Sequence, residues 1–492
     1  MRFLASSIRS ISTSLQALLL ATAVAGLLLP VMPARAQQQA LPSLGDASSA
    51  LISPQLERRI GEAFLKQLHS QMRASNDPII KYYVERQIVD LAQHSDLREA
   101  ILSVVVIDDE NINAFAAPGG VVGINLGLLL YAEDVHEYAS VMAHELAHLS
   151  QRHFARGIQE QQNQSIPTLI SLLAAVLVGI AGGGDAAMAA LSTMQAAGFA
   201  SQMRFSRARE TEADRIGMNT LVRAKHDPAA MSRMFERMQR AYRFTRRPPE
   251  FLLTHPLSET RIADARNQAL DLPRGSYSDS LDYQLIRVRA ETHFQKNPAK
   301  GVELYRKRLR ERPDDMAARY GLAISLSRDE KHQDALDHGE SLLNLNPQSI
   351  LYNAAYAELL IEADRAGMAQ DLLSHQLVIN PDNLPLSMLY AEALNQLGQH
   401  EESEAVLERQ SKVHPRDVDV WYELAETAGL AGNITGVHLA RAEYFFLHGS
   451  FHRSIQHLEY AQRLIRRTNP QLTAKLSQRI QDLRTAIRMA NS

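Results

Sequence analysis

The 492-residue chain contains no cysteine. Disulfides, thiolate metal sites and a cysteine nucleophile are excluded together, so any metal must be held by His, Asp and Glu. Absence of cysteine is compatible with an oxidising compartment such as a bacterial periplasm. An excess of one charge is also lacking: 52 Lys and Arg stand against 55 Asp and Glu, a net charge of −3. That balance gives no basic field to draw in a polyanion, and no nucleic-acid partner is expected. With 22% charged and 45% hydrophobic residues the composition is ordinary for a globular chain with material for two or three cores, not for a disordered or fibrous one.

Long apolar runs are scarce, and the first sits at the N-terminus. Arg2 and Arg9 precede an apolar stretch from Leu15 to Met32, and Ala34-Arg35-Ala36 supplies the small residues that signal peptidase accepts. Residues 1–36 are expected to be a secretory signal cleaved after Ala36, with an uncleaved anchor as the alternative. No cysteine precedes Gln37, so lipidation there is not expected. Residues 37–52 read as a flexible lead-in. A second uncharged stretch, Ile166 to Gly184, is followed by Ala, Met and Gly-rich sequence to Ala200. A buried or site-covering helical hairpin is the expectation, a transmembrane hairpin the alternative, and peripheral membrane contact stays open.

Between these stretches the sequence predicts helices with a small sheet. Ser53-Pro54 and Asp77-Pro78 each pair a cap with a first-turn proline, opening helices to about Met72 and His94. The β-branched run Ile101–Ile107, turn residues to Asn113 and a segment carrying Gly119-Gly120 predict two or three strands. A helix capped by Asp134, with Glu137 three residues on, is predicted to reach Gly157.

From about Tyr283 the pattern becomes strand-free and periodic. Pro313, Pro347, Pro381 and Pro415 are 34 residues apart, and Ala323, Ala357, Ala391 and Ala425 keep the same phase. Large residues stand beside each alanine, at Leu322, Tyr356, Tyr390 and Leu424, while Ala335, Ala369 and Trp421 occupy further repeat positions. The period and these details resemble the tetratricopeptide repeat, which implies an α-solenoid over residues 283–490 with a concave surface suited to a peptide or a protein partner.

The chemistry-bearing segment is His144-Glu145-Leu146-Ala147-His148. On a helix the two histidines share a face and can reach one ion, while Glu145, turned about a hundred degrees away, stands beside the metal as a general base. Apolar neighbours at Val141, Met142, Ala143 and Leu149 carry these polar groups inward, where each needs a partner. Hydrolytic zinc wants a third protein ligand. In the segment Arg209 to Asp214, Glu210 and Asp214 share a helix face, so Glu210 is the expected ligand and Asp214 the acceptor for a ligating imidazole N–H. Glu212 points elsewhere and is read as solvated charge. His136 and His153, out of phase with the pair, are read as structural.

Together, the Asn113-Ala114-Phe115-Ala116 to Pro118-Gly119-Gly120 stretch, the HExxH at 144–148, Glu-x-Glu-Ala-Asp-x-x-Gly at 210–217 and Thr254-His255-Pro256 with Arg261 resemble the zinc metallopeptidase family of HtpX and the CaaX prenyl endopeptidases. With the signal and the repeats, the whole mature chain is similar to the periplasmic branch of that family. The resemblance implies a gluzincin-type peptidase domain at 53–272 holding one zinc ion through His144, His148 and Glu210, with Glu145 as base and an edge strand that an extended peptide could join. It implies outer-membrane proteins, unfolded or misassembled, as substrates, docking on the β-barrel assembly machinery through the repeats, and a chaperone or adaptor role as the alternative function. It also places His255 near the site. His255 is therefore expected either to take the fourth zinc position in a self-inhibited form or to make a structural hydrogen bond, and Arg261 to support that segment or the oxyanion.

Overall fold

The computed structural model describes residues 53–159, 207–243, 250–273 and 275–491. The expected signal and lead-in at 1–52, the uncharged stretch within 166–200 and the prolines at 248 and 249 lie outside the described residues. The described chain is mainly helical with one small sheet, and among these residues no helix is long and apolar enough to cross a membrane.

Two capped helices come first. In α1 (Pro54–Gln71) the Ser53 hydroxyl accepts from the Leu56 amide, and in α2 (Pro78–Gln93) Asp77 accepts from the Ile79 and Ile80 amides. Each side chain satisfies amides that a first turn leaves unpaired, and each proline sits where its missing N–H costs nothing. Burial of Ile79, Ile80, Tyr83, Val84, Ile88 and Leu91 fastens one face of α2 into the core.

The sheet has three strands, β1 (Ser103–Ile107), β2 (Ala114–Ala117) and β3 (Val121–Asn125), in the order β1-β3-β2. The central β3 is buried throughout, runs parallel to β1 and forms an antiparallel hairpin with β2, with Ala117 opposite Val121. The hairpin turn needs its glycines. Gly119 and Gly120 have φ of +74° and +86°, and a Cβ on Gly119 would stand 2.6 Å from the Glu57 carbonyl oxygen. Short α3 (Leu126–Tyr131) then leads to α4 (Val135–Ser150), the helix that carries the HExxH segment.

Every residue of α4 from Val135 to His148 is buried. A helix enclosed on all sides must satisfy its polar groups internally. Asp134 accepts from the Glu137 amide, and buried Glu137 accepts from Arg237 Nε at 3.0 Å and Nη2 at 3.1 Å. The predicted single helix to Gly157 is instead broken: α4 stops at Ser150, Arg152 adopts φ of +50°, and α5 (His153–Gln159) begins anew. Arg152 Nε donates to Glu57 on α1 at 3.0 Å, so a tertiary ion pair holds the break. Helices α6 (Arg207–Arg223), α7 (Ala229–Arg243), α8 (Glu250–Thr254) and α9 (Glu259–Asp271) follow, and α6 packs along α4. A Cβ on Gly217 would lie 3.1 Å from backbone atoms of Ala143 and His144, and this close approach brings the acidic start of α6 over the histidines.

From Leu281 the chain winds as helical pairs: α10 (Leu281–Phe294) with α11 (Pro298–Glu311), α12 (Met316–Arg328) with α13 (His332–Leu345), α14 (Ile350–Glu362) with α15 (Ala366–Ile379), α16 (Leu384–Gln396) with α17 (His400–Val413), and α18 (Val418–Leu430) with α19 (Ile434–Leu447), then α20 (Phe451–Ile465) and α21 (Pro470–Asn491). First helices begin at 316, 350, 384 and 418, the spacing already marked by the prolines, and Asp315, Ser349, Asn383 and Asp417 cap them. Ala323, Ala357, Ala391 and Ala425 are buried, as helices in close contact require.

The solenoid packs against α1 and α2. Lys81 on α2 reaches Asp417 at 2.6 Å and Asp419 at 2.7 Å, and buried Arg289 on α10 bridges Asp77 to Glu358 at 2.5 and 2.8 Å. His69 on α1 lies 3.3 Å from the Leu447 carbonyl oxygen.

Candidate metal centre

Helix α4 presents His144 and His148 on one face, and α6 lays Glu210 against them. The Nε2 atoms of the histidines are 3.0 Å apart, and Glu210 Oε1 is 3.4 Å from that of His148. Just past α8, His255 brings Nδ1 to 3.3 Å from His144 Nε2 and 3.2 Å from Glu210 Oε1. All four residues are buried, and among the described residues this is the one group of three or more His and acidic donors able to hold a metal ion. A tetrahedral zinc ion with bonds of about 2.0–2.1 Å needs donors about 3.3 Å apart; the four separations above are near that value, all the donor atoms lie within 4.8 Å of one another, and the nitrogen and oxygen donor set fits zinc.

Around the four donors stands a second set of charged groups. Asp214 Oδ1 is 2.9 Å from His144 Nδ1, close enough to hold that side of the ring. Arg261 donates from Nε to Asp214 Oδ2 and from Nη2 to Oδ1, both at 2.7 Å, and its Nη1 is 2.7 Å from Glu210 Oε2 and 2.8 Å from the Pro256 carbonyl oxygen. These four contacts join α6 to the segment that carries His255. The Phe251 ring stacks on His255 with centroids 4.6 Å apart.

Glu145 sits beside the donors rather than among them. Its Oε1 makes no hydrogen bond among the described residues and lies 3.4 Å from His255 Nε2. Burial pushes its carboxyl pKa upward, opposed by His255 and His144 and, least of all, by the nearby Ala116 amide of β2. Asn113 O accepts from Asn125 N, so strand alternation turns the backbone groups of Ala114 and Ala116 away from β3 and toward this side. The edge of β2 that does not pair with β3 thus borders Glu145.

Residues 78–269 match peptidase family M48 and residues 360–427 match a tetratricopeptide repeat. The β-barrel assembly-enhancing protease of Escherichia coli is 30% identical over 480 residues, covering 97% of each chain. The chain belongs to peptidase family M48. The protein of the same name in Yersinia pestis is 29% identical over 423 residues, 85% of this chain and 86% of that one, and the mitochondrial metalloendopeptidase OMA1 of Schizosaccharomyces pombe is 33% identical over 217 residues, 43% of this chain and 60% of that one. This M48 chain is a zinc metalloendopeptidase with a helical, repeat-bearing C-terminal region.

The electrostatics of the M48 centre suit a cation. Burial works against protonating His144, but the Asp214 and Glu210 carboxylates outweigh it and lift its pKa to about 9. Burial would push Glu210 up, yet His255 and His144 hold it well below the usual carboxylate range. An ion entering here meets ionised Glu210 and must displace a proton from His144.

Two residues set aside in the sequence reading belong to this neighbourhood. The break at Arg152 turns His153 beneath His148, with their Nδ1 atoms 2.8 Å apart, and Glu212 lies 3.1 Å from both His153 Nε2 and Arg156 Nη1. Glu212 is therefore paired, with a side chain only 25% exposed. Helical phase misled because it assumes one continuous helix. The signal available in sequence was only a third histidine five residues past the motif and a second acidic residue, Glu212, two places after Glu210. His136 instead pairs with His226 at 3.0 Å and with the Ser278 carbonyl oxygen, away from the centre.

Proposed function

We propose that this chain works in the periplasm as an endopeptidase in the assembly and quality control of outer-membrane proteins, cleaving misfolded or stalled β-barrel precursors. The catalytic part rests chiefly on the four buried donors converging beside Glu145. The choice of substrate rests on the names of relatives that match nearly the full length, and the compartment on the N-terminal sequence with its cleavage point after Ala36. Residues 53–272 form the peptidase part and residues 283–490 the repeats, which hold substrate or dock on the β-barrel assembly machinery.

One zinc ion per chain is held by His144, His148 and Glu210. Bound there, zinc supplies a Lewis acid for the scissile carbonyl. Glu145 takes the proton of the attacking water and passes it to the leaving amine; its burial and upward-shifted pKa suit a group that must both accept and release a proton. Asp214 orients His144. Arg261 acts as a positioning residue whose donors are committed to Asp214, Glu210 and Pro256. An extended substrate pairs with the outer edge of β2, which brings a backbone carbonyl past Glu145.

With His255 as a fourth donor the set would leave no open position for water or substrate, and the arrangement would be a closed resting form. Displacement of the Phe251–Pro256 segment by a substrate or partner opens it. That closure also supports a second reading, a repeat-based chaperone or adaptor whose zinc site is latent.

The test is degradation of an unfolded porin by the mature chain, with Glu145→Gln and His255→Ala, and bound zinc quantified in each. Cleavage by wild type, an inert zinc-loaded Glu145→Gln and a faster His255→Ala are expected. Zinc in all three with cleavage by none moves the chaperone reading ahead.

A further inference from the structure

His148 carries one more requirement. To bind a metal through Nε2, its single proton must sit on Nδ1, where an acceptor has to hold it. For His144 the corresponding group is Asp214 on α6. Among the described residues the atom facing His148 Nδ1, at 2.8 Å, is Nδ1 of His153.

We propose that Glu212 and His153 form a two-step relay that fixes the tautomer and orientation of His148. The inference rests on His148 being a ligand, as proposed above. Its direction follows from what each atom can do. An ionised carboxylate only accepts, so His153 Nε2, 3.1 Å from Glu212 Oε2, carries the proton and donates it. The neutral His153 ring then has a bare Nδ1, which accepts from His148 Nδ1–H. His148 Nε2 is left unprotonated and faces the other donors. The reverse arrangement would set a bare His153 nitrogen against a carboxylate and block His148 Nε2 with a proton.

Three further observations single out His153. It is 0% exposed, so its polar atoms depend on protein partners. On a continuous helix it would lie about 140° around the axis from His148, but the break at Arg152 brings the ring centroids to 4.8 Å at 75°. The break itself requires a left-handed conformation at a non-glycine residue, an unfavourable backbone state that the Glu57–Arg152 pair holds in place. Arg156 steadies the far end by its contact with Glu212. Helix α6 would thus serve the centre three times: Glu210 as ligand, Asp214 behind His144, and Glu212 behind His148 through His153.

The experiment measures zinc affinity of the full-length mature chain by chelator competition at pH 7, with thermal unfolding of the metal-free proteins as a control. His153→Phe and Glu212→Ala are expected to weaken binding about 10–100-fold. The double variant should lose little more than either one, because both remove the same relay. His153→Gln, whose amide can accept from His148 and donate to Glu212, should stay within about threefold of wild type. Additive losses at 153 and 212, or affinities unchanged in both, overturn the relay. If His153→Phe does not fold, Glu212→Ala and His153→Gln decide the matter, and loss with Gln equal to loss with Ala at the two sites counts against it. His148→Ala is measured alongside: unchanged zinc affinity there would overturn the ligand assignment itself, whereas lost affinity with silent 153 and 212 variants overturns the relay alone.

Discussion

Arg261 grips Asp214 through two parallel hydrogen bonds of 2.7 Å, while its third nitrogen is shared between Glu210 and the Pro256 carbonyl. One guanidinium thereby joins two acidic groups of α6 to the segment that supplies His255. Lysine retains the charge but cannot reproduce a planar fork. Arg261→Lys is therefore expected to lower the thermal midpoint of the metal-free chain more than that of the zinc-loaded one, because zinc itself neutralises Glu210. Scanning calorimetry with and without chelator reads the difference; equal shifts in both forms would contradict this role.

Lys81 is the only cation that contacts both Asp417 and Asp419 among the described residues. Lys81→Met leaves two half-buried carboxylates together and should cost about 1–3 kcal/mol in urea unfolding, less than breaking a fully buried pair from one side. Adding Asp417→Asn and Asp419→Asn should recover much of it, since asparagine keeps the cap at the start of α18. A triple variant no more stable than Lys81→Met would refute the pairing.

His69 packs where α1 meets α19, and burial, the largest influence, lowers its pKa from 6.5 to about 4. Between those values the unfolded chain binds the proton and the folded chain does not. Stability from this group is therefore full above about pH 6.5 and falls as pH drops toward 4. Relative to His69→Gln, wild type should lose about 1–3 kcal/mol between pH 7.5 and pH 4.5. Denaturant titrations at the two pH values check it, and parallel losses in both proteins would count against it.

Gly217→Ala places a methyl 3.1 Å from the backbone of Ala143 and His144. Helix α6 must shift away from α4, at a cost of about 1–3 kcal/mol, and Glu210 retreats from the histidines with it. Weaker zinc binding should accompany the lower stability. Unchanged affinity in a destabilised protein would separate the packing from the site.

What could be read from sequence and what could not divide along a physical line. Local rules place the caps at Ser53, Asp77 and Asp134, and a strict period carries the solenoid from Pro313 to Pro415, because each repeat meets only its neighbours. Helix periodicity puts His144 with His148, and Glu210 with Asp214, on single helix faces, while the packing of α6 on α4 at Gly217 brings the two pairs together. The break at Arg152 follows no local rule: it depends on Glu57, 95 residues away. The same holds for the partners of Glu212 and for the packing of Asp417 on Lys81, where residues more than 300 positions apart meet. Orientation of the His255 ring likewise depends on Phe251, Arg261 and Glu210 acting together.

The closed four-donor centre is tested most directly by zinc X-ray absorption on the loaded full chain, comparing wild type with His255→Ala. Wild type should show four protein donors, three of them imidazoles, and the variant should lose about a third of the imidazole scattering while gaining a light oxygen neighbour. Superimposable spectra would mean that His255 is not bound to the metal, and the closed resting form would be wrong.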